Sequence, residues 1–134
     1  MGQQPRGIRN NNPGNIRHSS TKWVGEVKGS DPSFKTFSSP AFGIRAMAKL
    51  LGNYQRFYGL TTIRKMISRW APPSENDTAA YIAHVVKGSG IGPDDEVTLD
   101  DIPRIVPPMI AMENGQQPYG TDVIAKGCRL ARVE

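Results

Sequence analysis

Pro107-Pro108-Met109-Ile110-Ala111-Met112-Glu113-Asn114-Gly115 decides how this chain reads. Proline is tolerated in the first turn of a helix, and a glycine just past the end supplies a left-handed cap. The stretch therefore predicts a short apolar helix that begins at the prolines and ends in a lone carboxylate. Glu113 is the sole acidic residue between Asp101 and Asp122. Its Met, Ile and Ala neighbours predict a carboxyl set against an apolar wall. Such a setting disfavours the charged form, as a general acid working near neutral pH requires. The competing reading is a solvated Glu in the last turn of an ordinary helix.

Outward from this stretch the pattern is mostly helical. Ser39 caps a helix with Pro40 at its first position, and Ile44, Met47, Ala48, Leu51 and Tyr54 recur at spacings of three and four. Gly59 ends it. Thr61 or Thr62 caps the next helix, which carries Ile63, Met66, Ile67 and Trp70 and stops at Ala71-Pro72-Pro73. Asn76 or Asp77 caps a third, over 78–86, with Tyr81, Ile82 and Val85 on one side. Gly88 to Gly92 reads as a flexible turn. A short helix is expected from Asp100 to about Val106, before the Glu113 helix, and a last one over 122–132 capped by Thr121. Trp23 to Phe37 reads as a hairpin, with Trp23-Val24 and Val27 on one arm, Phe34, Thr36 and Phe37 on the other, and Gly29-Ser30-Asp31-Pro32 as the turn. Residues 1–18 hold Pro5, Gly7, Pro13, Gly14 and three successive asparagines, which is turn and loop chemistry. The order predicts an α+β, mainly helical fold in one domain over 1–134.

Composition narrows the function classes. The net charge is +5 and the pI about 9.6, which favours anionic partners: nucleic acid, anionic lipid or bacterial cell wall. The basic residues are scattered, with no arm, no run and no clear basic stripe on a helix, so a nucleic-acid partner is not expected. No apolar run approaches the roughly 18 residues of a membrane span, so no stable membrane insertion is expected. The first residues lack an apolar core, so no Sec-type signal peptide is expected either. One cysteine, Cys128, excludes an internal disulfide and a cysteine metal cluster. His18 and His84 are isolated, and no phosphate loop, dinucleotide fingerprint or nucleophile elbow is present. No cofactor or metal is expected.

Three features carry chemistry. Asn11, Asn12 and Asn15, in the loop Arg6-Gly7-Ile8-Arg9-Asn10-Asn11-Asn12-Pro13-Gly14-Asn15-Ile16-Arg17, can pair with sugar hydroxyl and acetamido groups through both donor and acceptor. They can equally brace a tight loop through Asx turns. Arg69-Trp70-Ala71-Pro72-Pro73-Ser74-Glu75-Asn76-Asp77-Thr78-Ala79-Ala80-Tyr81 gathers Trp70, Glu75, Asp77 and Tyr81 at a helix junction. There the carboxylates either serve a substrate or complement the positive end of the next helix. Glu113 is the third. The aromatics Trp23, Tyr54, Tyr58, Trp70, Tyr81 and Tyr119 are candidates to line a sugar groove.

Gly7-Ile8-Arg9-Asn10-Asn11-Asn12-Pro13-Gly14-Asn15-Ile16-Arg17, Trp23-Val24-Gly25, Phe34-Lys35-Thr36-Phe37, Gly43-Ile44-Arg45-Ala46 and Trp70-Ala71-Pro72-Pro73 with Glu75-Asn76-Asp77-Thr78 resemble small phage and prophage proteins labelled virion structural protein or endolysin. The resemblance covers almost the whole chain. A weaker similarity is to flagellar-type glucosaminidases, which carry a helix ending in Glu-Ser-Gly and, later, an Asn-Asn-Leu-Phe-Gly-Ile-Lys motif before a Phe-containing strand. Asn11-Asn12-Pro13-Gly14-Asn15-Ile16-Arg17 resembles the second motif and Phe34-Lys35-Thr36-Phe37 the strand. Ile110-Ala111-Met112-Glu113-Asn114-Gly115 resembles the Glu helix, with Asn114 in place of serine and the order reversed. That order is what circular permutation of a lysozyme-like domain gives.

The resemblance implies a phage-type peptidoglycan glycosidase, muramidase or lytic transglycosylase, in which Glu113 protonates the leaving oxygen. A second carboxylate would come from Glu26, Glu75 or Asp77. It implies bacterial peptidoglycan as partner and synthesis in the host cytoplasm. The protein would act in the periplasm or cell wall after holin-dependent release, or be carried in the virion. A non-catalytic virion or wall-binding module is the alternative.

Overall fold

Ser39-Pro40 starts the helix on which the rest is assembled. The computed structural model describes residues 4–133. Its elements run α1 (Arg6–Arg9), β1 (Glu26–Val27), β2 (Thr36–Phe37), α2 (Pro40–Tyr58), α3 (Ile63–Trp70), α4 (Thr78–Ser89), α5 (Ile102–Asn114) and α6 (Thr121–Val133), with a 3-10 turn over Leu99–Asp101 before α5. The fold is mainly helical with one two-stranded antiparallel sheet. Helix α2 buries Ala41, Gly43, Ile44, Arg45, Ala46, Met47, Ala48, Leu51 and Gly52. Its first three turns are thus enclosed on nearly all sides, where periodicity alone predicts one apolar face. It packs chiefly on α6 and also meets α5 and β2, while α4 lies along α5. The buried apolar residues of these helices form one hydrophobic cluster that includes Phe37 and Cys128. Burial pushes the Cys128 thiol up to about 11, the behaviour of a small core hydrophobe.

The caps follow local chemistry. Thr62 accepts from the Lys65 amide and Asp77 from the Ala80 amide, opening α3 and α4. Gly59, Gly90 and Gly115 close α2, α4 and α5 in the left-handed conformation. Ser39 holds the extended N-cap backbone but makes no side-chain cap bond, so Pro40 alone marks that start. The expected turn at Gly88 to Gly92 begins later, because α4 continues to Ser89. Helix α6 opens at Thr121 itself.

The two helices expected on either side of Pro107 are one. Helix α5 runs through Pro107 and Pro108, which removes the amide donors to the carbonyls of Pro103 and Arg104. Both those residues are exposed, so water can serve the carbonyls. Ile102, Ile105, Val106, Pro108, Met109 and Ile110 are buried along the same helix, and this packing overrides the local propensity.

The hairpin is shorter than predicted. Glu26 pairs with Phe37 and Val27 with Thr36, while Trp23 and Val24 lie outside the sheet. Gly25, at φ 80°, breaks the extended backbone between Val24 and Glu26. A third segment takes part instead. Arg17 bridges Phe34, with His18 N–H donating to Ser33 O and Lys35 N–H to Ile16 O. The N-terminal loop is also more ordered than its composition suggests, since it contains the single turn α1. The first three residues of that predicted loop lie outside the described residues.

Lys35 is 2% exposed. Its ammonium donates to the carbonyls of Ser19 and Thr21 and to both oxygens of Glu26, at 3.0 and 3.1 Å. Glu26 also accepts from the Trp23 amide. Burial pulls the Glu26 carboxyl upward, but the Trp23 amide and the Lys35 ammonium outweigh it and leave it below the usual range. A carboxylate lowered on folding stabilises the protein above its unfolded value, and that contribution is lost as pH falls through the folded value. Glu26→Gln strands the buried ammonium and is expected to cost about 3 kcal/mol at pH 7. In thermal melts the gap between wild type and variant closes at pH values well below 4. A gap independent of pH contradicts this.

Candidate functional site

The last turn of α5 docks on the asparagine loop. Asn114 is buried, and its amide donates to the carbonyls of Ile110 in its own helix and of Pro13 in the loop, both at 2.9 Å. Gly115 at φ 70° ends the helix immediately afterwards. Glu113 is thereby set facing the loop. Its Oε1 accepts from Asn15 Nδ2 at 2.9 Å. Its Oε2 accepts from Tyr81 Oη–H at 2.8 Å and from Trp70 Nε1–H at 3.1 Å. The apolar wall expected around this carboxylate is a cage of three donors, because α3, α4 and the loop each aim one polar group at it.

Tyr81 is 4% exposed. Burial first, and then the negative charge of Glu113, push its phenol far above the ordinary value. It stays protonated and donates throughout the physiological range. Trp70 packs edge-to-face on Tyr54 at 6.5 Å and 73°, and Arg69 stacks over Tyr54 and Tyr58. The Tyr54 phenol is raised by burial, against a smaller opposing pull from Arg69.

Glu113 lines a groove of about 370 Å³, a size that suits a small-molecule or oligosaccharide segment. Its lining includes Asn15, Arg17 and Phe34 from the N-terminal part of the chain, together with Tyr54, Trp70, Pro72, Glu75 and Asn76. Of the residues named from sequence, Asn15, Trp70, Glu75 and Glu113 line this groove, and Tyr81 reaches it through its bond to Glu113. Glu75 is exposed at the rim.

The others are placed elsewhere. Asn12 is 0% exposed, and both its amide hydrogens are committed, to Ile16 O and Lys35 O, while its oxygen accepts from Ile16 N–H. It braces the loop and offers no donor to a sugar. Asn11, left-handed at φ 52°, donates to Phe37 O and fastens the loop to β2. Asp77 caps α4. Glu26 is occupied by Lys35, and neither carboxylate lines the groove. Trp23, Tyr58 and Tyr119 also lie off it. Among the described residues no group of three His, Cys, Asp or Glu is placed to hold a metal. No described helix is long and apolar enough to cross a membrane.

Gly7 shows how closely the parts meet. A Cβ there would lie 2.5 Å from Asn114 Oδ1 and 2.9 Å from Asn15 Oδ1. Both oxygens are buried without a hydrogen-bond partner, and the glycine α-carbon is what they face. Among the groove residues that sequence reading did not assign to the site are Arg17 and Phe34. Arg17 ends the asparagine loop and Phe34 stands in the expected hairpin, and the Arg17–Phe34 bridge brings them together.

No family model matches the chain. Protein P5 of Pseudoalteromonas phage PM2 is 43% identical to it over 131 residues, which span 95% of this chain and 82% of that protein. The chain belongs to the family of that phage protein.

The cage predicts an energetic coupling. Tyr81→Phe removes a charge-assisted hydrogen bond and is expected to cost about 2 kcal/mol in urea unfolding at pH 7. Most of that loss is expected to vanish in a Glu113→Ala background. Additive effects would show that the two side chains do not act on one another.

Proposed function

We propose that this protein is a phage-type peptidoglycan glycosidase that cleaves the β-1,4 bond between N-acetylmuramic acid and N-acetylglucosamine, with Glu113 as its acid. The observation that carries the reading is the hydrogen bond from Asn15 to Glu113. It joins the two motifs that resemble the glucosaminidases, 98 residues apart in the chain, at the floor of a groove with aromatic walls. Their meeting in space despite reversed order supports a circularly permuted lysozyme-like domain. CH faces of sugar rings stack on Trp70 and Tyr54, and Asn15 holds the Glu113 carboxyl in place.

In the reaction Glu113 gives its proton to the glycosidic oxygen as the bond to the anomeric carbon breaks. The muramic 6-hydroxyl then attacks that carbon and returns its proton to Glu113, which closes an anhydro ring and needs no second carboxylate. If water attacks instead, Glu75 is the groove carboxylate available to activate it. Asn15, Trp70 and Tyr81 are positioning residues that hold the carboxyl in one rotamer. The protein is made in the host cytoplasm and reaches the wall by holin-dependent release or within the virion. The cationic surface speeds encounter with the anionic envelope.

A second reading, a wall-binding or virion module without catalysis, is favoured by one fact: both Glu113 oxygens already accept hydrogen bonds. Digestion of Gram-negative peptidoglycan, with products read by mass spectrometry, separates the two. Wild type is expected to release muropeptides, with anhydro-muramic ends marking internal attack and reducing muramic ends marking water. Glu113→Gln keeps its fold and loses at least about a hundredfold in rate. Equal release by both proteins removes Glu113 as the acid. Glycan binding without products from a folded wild type establishes the second reading.

A further inference from the structure

Arg17 is a groove cation with no ion pair among the described residues. Its side chain is exposed and lines the groove together with Trp70 and Glu75. Among the described residues it makes no ion pair and no side-chain hydrogen bond; its contact is the Phe34 ring, whose centroid lies 5.0 Å from the guanidinium carbon. Arg6 sits at the same distance from the same ring. There, however, Asp31 supplies the counter-charge at 3.2 Å. Asp31 is in turn held down to about 2, first by the Ser33 amide and also by Asn10, Phe34 N–H and Arg6. Among the described residues, one of two neighbouring guanidiniums therefore has a counter-charge and the other has none.

The contact with Phe34 restricts the Arg17 guanidinium, whose planar fork of N–H donors suits a carboxylate bidentately. The carboxyl groups of the groove, those of Glu75 and Glu113, disfavour an anionic ligand. Arg17 is the group that makes such a ligand acceptable. We propose that Arg17 reads a carboxylate of the substrate, so that the groove selects acid-bearing wall glycan, whose peptide stems carry free carboxylates, over an uncharged glycan. This rests on the glycosidase reading and names what its groove distinguishes.

The test uses a purified disaccharide-tetrapeptide from peptidoglycan and the same compound with its carboxyls amidated. Each is titrated calorimetrically into wild type, Arg17→Gln and Arg17→Lys, with melting temperatures as the check on folding. Wild type is expected to prefer the free acid about tenfold. Arg17→Gln brings that preference close to one, and Arg17→Lys, which keeps the charge without the planar stack, retains part of it. Should Arg17→Gln not fold, the wild-type preference is measured against salt and is expected to fall as salt rises. Equal binding of the two compounds by a wild type that still digests peptidoglycan overturns the role of Arg17 and leaves the glycosidase reading standing. So does an equal loss for both compounds in Arg17→Gln. Absence of both binding and digestion overturns both.

Discussion

The amide of Asn114 holds the site together. By donating to Ile110 O and Pro13 O it fastens the end of α5 to a loop 101 residues earlier in the chain. Both acceptors are buried with it, so losing either bond leaves an unpaired polar group in the core. Everything at the groove floor follows from this clasp. It sets Glu113 against Asn15, it puts two amide oxygens against Gly7, and it fixes where Trp70 and Tyr81 must reach. An aspartate or leucine at 114 would occupy similar space without donating either bond.

Two carboxylates show how environment sorts identical groups. Glu26 and Glu113 are both partly buried and both accept several hydrogen bonds. Glu26 faces a buried ammonium and has no access to the groove. Its charge is balanced inside the fold, where it anchors the segment from Ser19 to Glu26 through Lys35. Glu113 is met by neutral donors only, and it opens on the groove. Of the two, Glu113 is the one that lines the groove.

Helices with side-chain caps and closing glycines were legible. Thr62, Asp77, Gly59 and Gly115 act locally, and local chemistry is what a sequence displays. Helix α5 was misread at Pro107 because the contacts that hold its prolines in line come from elsewhere in the fold. The hairpin was overextended because nothing local reveals that Gly25 turns left-handed or that Ser33 to Lys35, just before β2, pair with Ile16 to His18. At the site, Asn15, Trp70, Tyr81 and Glu113 were each named from sequence, and the structure places them together. Asn12 shows the limit. The asparagines of this loop look alike in sequence, and only the packing distinguishes Asn12, which braces the loop, from Asn15, which lines the groove. Arg17 went unassigned because its lack of a counter-charge among the described residues is a property of its neighbours in space.

The protein has two tryptophans, and they make an internal comparison. The Trp70 indole N–H donates to Glu113, while Trp23 lies away from the groove with its N–H buried. The most direct test of a glycan site floored by Glu113 is a nitrogen–proton correlation spectrum of the two indoles during titration of Glu113→Gln with peptidoglycan fragments. A saturable shift of Trp70 with Trp23 unmoved is the predicted result. Movement of Trp23 with Trp70 still, or no movement of either at saturating fragment, contradicts it.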